Sequence, residues 1–209
     1  MATTTTNYGF DIPQSTDLVK DGATAIATLG QDIDTAMNTA LGTKKAGMVL
    51  LNTTSFSGVS SQSFNDVFSA TYDHYEVIVN VSGSGFNTGI IRLRVSGADD
   101  SSSVYDYCGQ YQSSASTVWQ NNGSAQNQTS WSGFNYGTNG LGYNRINIYN
   151  PFSANRTLFF AETHEPGSSS LTVTRNGQFR NTTSFTGISF IQTGGSTFTG
   201  SIQIYGFNK

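Results

Sequence analysis

The sequence has little of what stabilises or charges a protein by means other than packing. Cys108 is the single cysteine, so an intrachain disulfide and a thiolate zinc cluster are both excluded. Charged residues make up 11% of the chain, and the ten Lys and Arg residues create no basic field for nucleic acid. No apolar run approaches the roughly 18 residues of a membrane span, and the N-terminus lacks the features of an export signal. We therefore expect stability to come from packing or assembly, with no nucleic-acid partner and no membrane insertion.

What is abundant is small, polar and aromatic. The 209 residues include 23 Gly, 14 Phe and 10 Tyr, and the formal net charge is only -3. A chain of this length is long enough to bury a substantial core. Low charge combined with many aromatic residues favours a mainly β domain with an uncharged polar surface.

Helical periodicity is confined to the first 45 residues. After a plausible N-cap at Ser15 or Thr16, apolar residues recur at heptad spacing, although Gly30 interrupts the pattern and could break the helix in two. Such a helix is marginal in water unless partners bury its apolar face, so a coiled-coil-like interface is favoured over a helix lying on its own β domain. The candidate interface residues are Val19, Ile26, Leu29, Ile33 and Ala36.

The remainder of the chain alternates like β-strands. Gly42 and Gly47 bracket the break, which predicts two domains, residues 1–45 and 46–209. "YEVIVNV" at 75 and "IIRLRVS" at 90 place apolar residues on one side of half-buried strands, and about nine such segments are separated by turn sequences. Asn176-Gly177 is the strongest hairpin-turn signal among them. The predicted fold is an antiparallel β-sandwich or jelly roll that follows a short helical segment.

The first 34 residues carry a resemblance to a known family. The segment "NYGFDIPQSTDLVKDGATAIATLGQDID" resembles the N-terminal segment of bacteriophage fibre and minor tail proteins. The matching residues are Tyr8, Gly9, Pro13, Thr16, Asp17, Val19, Lys20, Asp21, Gly22, Leu29, Gly30, Ile33 and Asp34. The resemblance implies a homotrimer that is held to the virion by its N-terminus, and the residues expected to make that attachment are Tyr8, Phe10, Ile12 and Pro13.

No arrangement of residues indicates an enzyme. His74 with Glu76, and Glu162 with His164, could share strand faces as metal ligands or acid–base pairs, and Asp99, Asp100 and Asp106 could supply calcium oxygens. Exposed strand ends and turns use the same residues for capping, and two histidines are few for a metal site. We predict no catalytic residue, no metal and no cofactor.

Aromatic residues are concentrated between positions 105 and 149, among Gln, Asn, Ser and Gly. An aromatic ring covers the apolar face of a sugar while neighbouring amides bond its hydroxyls, so this mixture suits glycan recognition. The candidate glycan-binding residues are Tyr111, Trp119, Trp131 and Tyr136. The alternative is that these rings fill the interior of the sandwich.

The resemblance implies a virion protein made in the host cytoplasm, a trimeric tail or baseplate fibre, and the aromatic-rich region predicts that its β domain adheres to host-surface glycan. The expected partners are sister subunits and other virion proteins of the tail, baseplate or capsid. One alternative is a capsid-bound head fibre or cement protein that binds no receptor. A polysaccharide depolymerase is a weaker alternative, because the chain is short and has no solenoid repeat.

Overall fold

The structure is a computed structural model that describes residues 3–6, 8–12, 18–41, 47–83, 87–136, 140–166 and 170–208. The chain divides into two compact units, Met1–Ala46 and Gly47–Lys209. The prediction of a mainly β, antiparallel sandwich with an N-terminal helix is confirmed. The jelly-roll order of strands is not confirmed.

The first unit begins with a small hairpin. Strands β1 (Thr3–Thr4) and β2 (Asp11–Ile12) pair antiparallel, and Gly9 adopts a φ of 69° at the tip. The rings of Tyr8 and Phe10 stack there with centroids 5.5 Å apart. Of the predicted attachment residues, Tyr8 is 72% exposed, Ile12 is exposed and Phe10 is half-buried, whereas Pro13 lies outside the described residues.

Helix α1 (Val19–Leu41) continues through Gly30 without a break. Its half-buried positions recur every three or four residues and include Leu29 and Ala36, and Ala36 lines a cavity of about 250 Å³ together with Tyr8 and Phe10. A second row on the helix is open to solvent: Ile26 is 67% exposed, Ile33 39% and Met37 55%. We call these three residues the exposed stripe. The side chain of Val19 and the proposed cap at Ser15 or Thr16 lie outside the described residues.

The second unit contains the strands β3 to β15. They are β3 (Met48–Val59), β4 (Ser61–Phe64), β5 (Tyr72–Gly83), β6 (Asn87–Val95), β7 (Ala98–Asp99), β8 (Tyr105–Ser113), β9 (Gln120–Gln128), β10 (Trp131–Tyr136), β11 (Gly142–Tyr149), β12 (Thr157–Glu165), β13 (Leu171–Phe179), β14 (Gly187–Ile191) and β15 (Phe198–Asn208).

These strands form two antiparallel sheets. The large sheet has the order β3-β15-β5-β11-β12-β13-β8-β9, and the small sheet has the order β10-β6-β14-β4 with β7 paired to β6. Strand β15 therefore lies between β3 and β5, with Phe207 opposite both Met48 and His74. The inner faces of the two sheets bury one continuous hydrophobic core.

The alternation predicted from the sequence sets which side chains enter that core. In β5, Tyr75, Val77, Val79 and Val81 are fully buried, and β11 alternates strictly between buried and partly or fully exposed positions. Because successive side chains of a strand point to opposite faces, the intervening residues form the outer face of the large sheet.

The hairpin turn predicted at Asn176-Gly177 is wrong. Strand β13 runs straight through both residues and pairs with β12 on one side and β8 on the other. Gly177 is needed for close packing instead of a turn, because a Cβ atom there would lie 2.2 Å from the Asp106 carbonyl oxygen and 2.7 Å from the ring of Phe159.

One buried polar cluster joins the two sheets. The Asn144 Oδ1 atom accepts hydrogen bonds from the Asn135 backbone N–H at 2.9 Å and the Thr163 hydroxyl at 2.8 Å. Its Nδ2 group donates to the carbonyl oxygens of Val79 and Asn135, both at 3.1 Å. The Asn135 side chain in turn accepts from Arg175 Nη2 at 2.9 Å. Asn144 thus satisfies backbone groups of both sheets where the interior is polar.

We expect the sandwich to lose stability as the pH rises from 10 to 12. Burial raises the pKa of Tyr136 to about 12 and also raises the pKa values of Tyr75 and Tyr105 above 10.0, so the unfolded chain releases these protons first. Burial lowers the pKa of Arg175 from 12.5 to about 10, which has the opposite sign, but three tyrosines outweigh one arginine.

Denaturant midpoints measured across this pH range test the expectation. Each net proton that the unfolded chain releases lowers the free energy of unfolding by about 1.4 kcal/mol per pH unit. Tyr105→Phe should give a shallower decline than the wild-type protein, whatever its effect on absolute stability. A midpoint that stays constant or rises above pH 10 would contradict the assignment.

Candidate functional site

Two of the predicted glycan-binding residues are buried, which corrects that prediction. Trp131 and Tyr136 in β10 are both 0% exposed. The Trp131 ring stacks on Phe159 at 4.5 Å and meets the edge of Tyr105 at 5.1 Å, and its Nε1–H donates to the Gln178 carbonyl oxygen at 3.1 Å. Strand β10 lies against several strands of the large sheet, so these rings fill the sandwich interior and cannot reach a surface ligand.

The other two residues lie at the surface but play different parts. Tyr111 in β8 is half-buried, and its hydroxyl donates to the Gln120 side chain across the β8–β9 pair. Trp119, in the loop between these strands, is 48% exposed. Of the four predicted glycan-binding residues, only Trp119 presents a large open aromatic surface.

Trp119 borders a groove on the outer face of the large sheet. The groove consists of two adjoining cavities of about 700 and 480 Å³ that share Cys108, Ser124 and Asn176. The larger cavity is lined by Asp106, Tyr107, Cys108, Ser124, Ala125, Gln126, Tyr149, Leu158, Phe159, Phe160, Asn176, Gly177 and Gln178. The smaller is lined by Cys108, Gly109, Gln110, Trp119, Gln120, Asn121, Ser124, Thr174 and Asn176.

Strand register brings these distant residues together. Phe160 of β12 lies opposite Asn176 of β13, which lies opposite Cys108 of β8, and Cys108 lies opposite Ser124 of β9. A neighbouring row runs from Tyr149 through Leu158 and Gln178 to Asp106. The rows cross the strands, so the groove crosses them too.

A stack of three rings supports the Tyr149 end of the groove. His74 lies between Tyr149, at a centroid distance of 4.5 Å, and Phe207, at 4.2 Å, with all three planes nearly parallel. The His74 Nε2 atom is 2.8 Å from Asn147 Oδ1, which holds the imidazole in place. Tyr149 remains 38% exposed. Its ring is therefore ordered before any ligand arrives.

The loop that carries Trp119 is held by its own hydrogen bonds. The Ser116 hydroxyl donates a hydrogen bond to the Val118 carbonyl oxygen at 3.1 Å and accepts one from Gln120 Nε2 at 3.3 Å. The Ser114 backbone N–H donates to the Ser170 carbonyl oxygen at 2.8 Å. These contacts fix the β8–β9 loop beside the sheet and place the indole at the groove margin.

The groove is almost uncharged. Asp106 is the one ionisable carboxylate among its lining residues, and it already pairs with Arg180 at 3.4 Å and accepts from Gln178 Nε2 at 3.3 Å. The remaining polar lining is mostly amides and hydroxyls. Such groups both donate and accept hydrogen bonds, as sugar hydroxyls require.

Three of the carboxylates considered for metal binding or catalysis, Glu76, Asp99 and Asp100, have structural partners. Glu76 forms an ion pair with Arg145 at 2.6 Å, and Asp99 pairs with Arg94 and accepts from the Ser189 hydroxyl. Asp100 accepts the Ser102 backbone N–H at 2.8 Å, as turn capping requires. In the part of the chain that the structure describes, no three His, Cys, Asp or Glu side chains are grouped to hold a metal ion.

Sequence reasoning placed Tyr149 in the aromatic-rich region without choosing it as a binding residue, and it missed Asn176 and Gln178. A local signal was present, since each stands at an outward position beside a buried one, such as Tyr149 after Ile148. Their convergence depends on pairing between strands far apart in sequence.

No helix among the described residues is long and apolar enough to cross a bilayer. Comparison of the chain with protein-family models, with curated proteins and with solved structures gave no match.

Proposed function

We propose that this chain is a homotrimeric virion component of a bacteriophage, a tail or baseplate fibre that adheres to host-surface glycan. The first unit assembles the trimer and attaches it to the particle, and the groove on the sandwich binds the glycan. The proposal is carried by the presence in one chain of two features. The first is an apolar stripe on α1 that is open to solvent, and the second is an uncharged groove of aromatic and amide side chains on the sandwich.

The exposed stripe supports assembly. Ile26, Ile33 and Met37 follow one side of α1 at heptad-compatible spacing and stay open to solvent in the single chain. An isolated helix gains little from such a row, whereas a bundle of sister helices would bury it. Leu29 and Ala36, which are also among the predicted interface residues, are half-buried in the single chain. The exposed stripe is therefore the better candidate for the interface between sister helices. The trimeric count comes from the phage-fibre resemblance.

The N-terminal hairpin supports attachment. Tyr8 presents most of its ring to solvent at the tip, next to the stacked Phe10. An exposed aromatic on a tight turn is a suitable anchor for a pocket on another virion protein. A head-fibre or cement protein would use the same feature, and the location of the chain in a particle reconstruction separates the two assignments.

The groove supports adhesion. Its cavities fall within the usual size of ligand sites, and it combines exposed rings with convergent amides. Three copies on one fibre would convert weak single contacts into firm attachment by avidity.

Mutation of the exposed stripe tests assembly. We expect the full-length wild-type protein to be a trimer by light scattering, and Ile26→Asp/Ile33→Asp to be a monomer, because charges in the seam would be buried. Gln31→Asp/Asn38→Asp is the matched control, since it adds two charges at the same spacing to other exposed positions of α1. A wild-type monomer, or equal dissociation of both variants, would refute the assembly.

A glycan-array comparison tests adhesion. We expect Trp119→Ala to lose array binding by about tenfold or more, the equivalent of losing one good stacking contact. Val118→Ala is the control, because Val118 is 62% exposed and adjacent but does not line the groove. Wild-type protein that binds no glycan, or binding that survives Trp119→Ala unchanged, would refute a glycan site in this groove.

A further inference from the structure

Resting on the proposed function, we infer that the groove binds an uncharged internal segment of a linear glycan, which lies across strands β11 to β9 and contacts Tyr149 and Trp119 at the same time. A terminal sugar or a charged sugar is not the ligand that fits.

The first argument is continuity. The two cavities share Cys108, Ser124 and Asn176, so they adjoin one another between the Tyr149 end and the Trp119 end. Five adjacent strands, β11, β12, β13, β8 and β9, underlie the groove. Four gaps between neighbouring strands correspond to about 19 Å. That span exceeds a single sugar ring, so one ring cannot contact both aromatic residues.

The second argument is the division of the lining. Aromatic and apolar side chains lie towards the two ends, Tyr149 with Phe160 at one and Trp119 at the other, and the amides of Asn176 and Gln178 on β13 lie between them. Rings that stack at both ends and amides that bond hydroxyls between them suit a chain of several sugars. The preformed stack of Tyr149, His74 and Phe207 reduces the entropy lost when the ligand binds.

The third argument is charge. Among the residues that the structure describes, no Lys or Arg lines either cavity, and Asp106 is already paired with Arg180. Arg156 is exposed, is not a lining residue of either cavity, and has its Nη1 group engaged as a donor to Gln178 Oε1 at 3.2 Å. An acidic sugar would therefore lose its hydration without gaining a cationic partner among the lining residues, and it would meet the negative charge of Asp106.

The test uses the full-length protein and immobilised oligosaccharides of increasing length, in neutral and acidic series. We expect neutral chains that span the groove to bind at least about tenfold more tightly than single sugars or acidic chains of equal length. The affinity should change little between low and high salt, because no ion pair forms. Trp119→Ala and Tyr149→Ala should each weaken the binding of long chains. Each variant should then bind long and short chains with similar affinity. Tyr143→Ala is the matched control, because Tyr143 lies on the same strand and face as Tyr149 and is 46% exposed but outside the groove.

The single cysteine provides an independent readout. Cys108 is exposed at the junction of the two cavities, with its thiol 2.9 Å from Asn176 Oδ1. A bound neutral chain should slow the alkylation of Cys108 by N-ethylmaleimide, whereas a single sugar should not.

The outcomes separate this inference from the proposed function. Preferential binding of acidic or single sugars, strong salt dependence, or no effect of Tyr149→Ala on long chains would overturn the inference while adhesion stands. Absence of binding to every glycan would overturn the adhesive function itself.

Discussion

Replacing Trp131 with alanine is expected to lower the free energy of unfolding of the sandwich by about 3–5 kcal/mol, the usual cost of deleting a fully buried aromatic side chain. The indole is 0% exposed and contacts rings from β8 and β12, so alanine would leave a cavity between the sheets. It would also leave the Gln178 carbonyl oxygen without its indole donor. Chemical denaturation followed by far-ultraviolet circular dichroism measures the loss.

The other tryptophan of the chain is the control. Trp119→Ala should change the unfolding free energy by only about 0.5 kcal/mol or less, because Trp119 is 48% exposed in a loop. The two substitutions should thus have opposite profiles, one affecting stability and the other affecting binding. Equal losses of stability in both variants would contradict the placement of Trp131 in the core.

Replacing Asn144 with leucine is expected to destabilise the sandwich by about 3 kcal/mol, although leucine has a similar size. The substitution leaves the buried Asn135 N–H and the Thr163 hydroxyl without their acceptor, and each unpaired buried group costs about 1–3 kcal/mol. Denaturant titration of the variant and the wild type at neutral pH gives the difference.

Thr163→Val provides the matched comparison. It removes one hydrogen bond and leaves the others of Asn144 in place, so we expect a loss of about 1 kcal/mol. In the double variant the unpaired hydroxyl is absent, and the combined loss should be smaller than the sum of the two single losses. Strict additivity would show that the two side chains do not interact.

Local sequence patterns predict the class of fold well. The alternation in β5 and β11 identifies half-buried strands because a strand in a two-layer sandwich has one solvent-exposed face and one face buried in the core. The heptad spacing identifies α1 for a similar reason, since one side of the helix is apolar. Both signals are carried by neighbours within a few residues.

Pairing across long separations is not encoded in this way. Asn176-Gly177 has the composition of a turn, but it lies within β13, which pairs with β12 on one side and β8 on the other. The ring of Phe159 occupies the space that a side chain at position 177 would need. Trp131 and Trp119 lie in similar polar sequence, and only the position of β10 over the large sheet distinguishes a core ring from a surface ring. The groove depends on the registers of four neighbouring strand pairs and was therefore predicted only at Trp119.

The position of β15 has a consequence for how the protein is made. It is the last strand of the described chain, yet it lies between β3 and β5 in the large sheet and contributes Ile202 and Ile204 to the core. During translation the large sheet cannot close until this segment leaves the ribosome, and such long-range pairing is slow. A chain truncated before residue 198 would lack β15, so β3 and β5 would have unpaired edges and the core would be exposed. We therefore expect truncated products to be degraded.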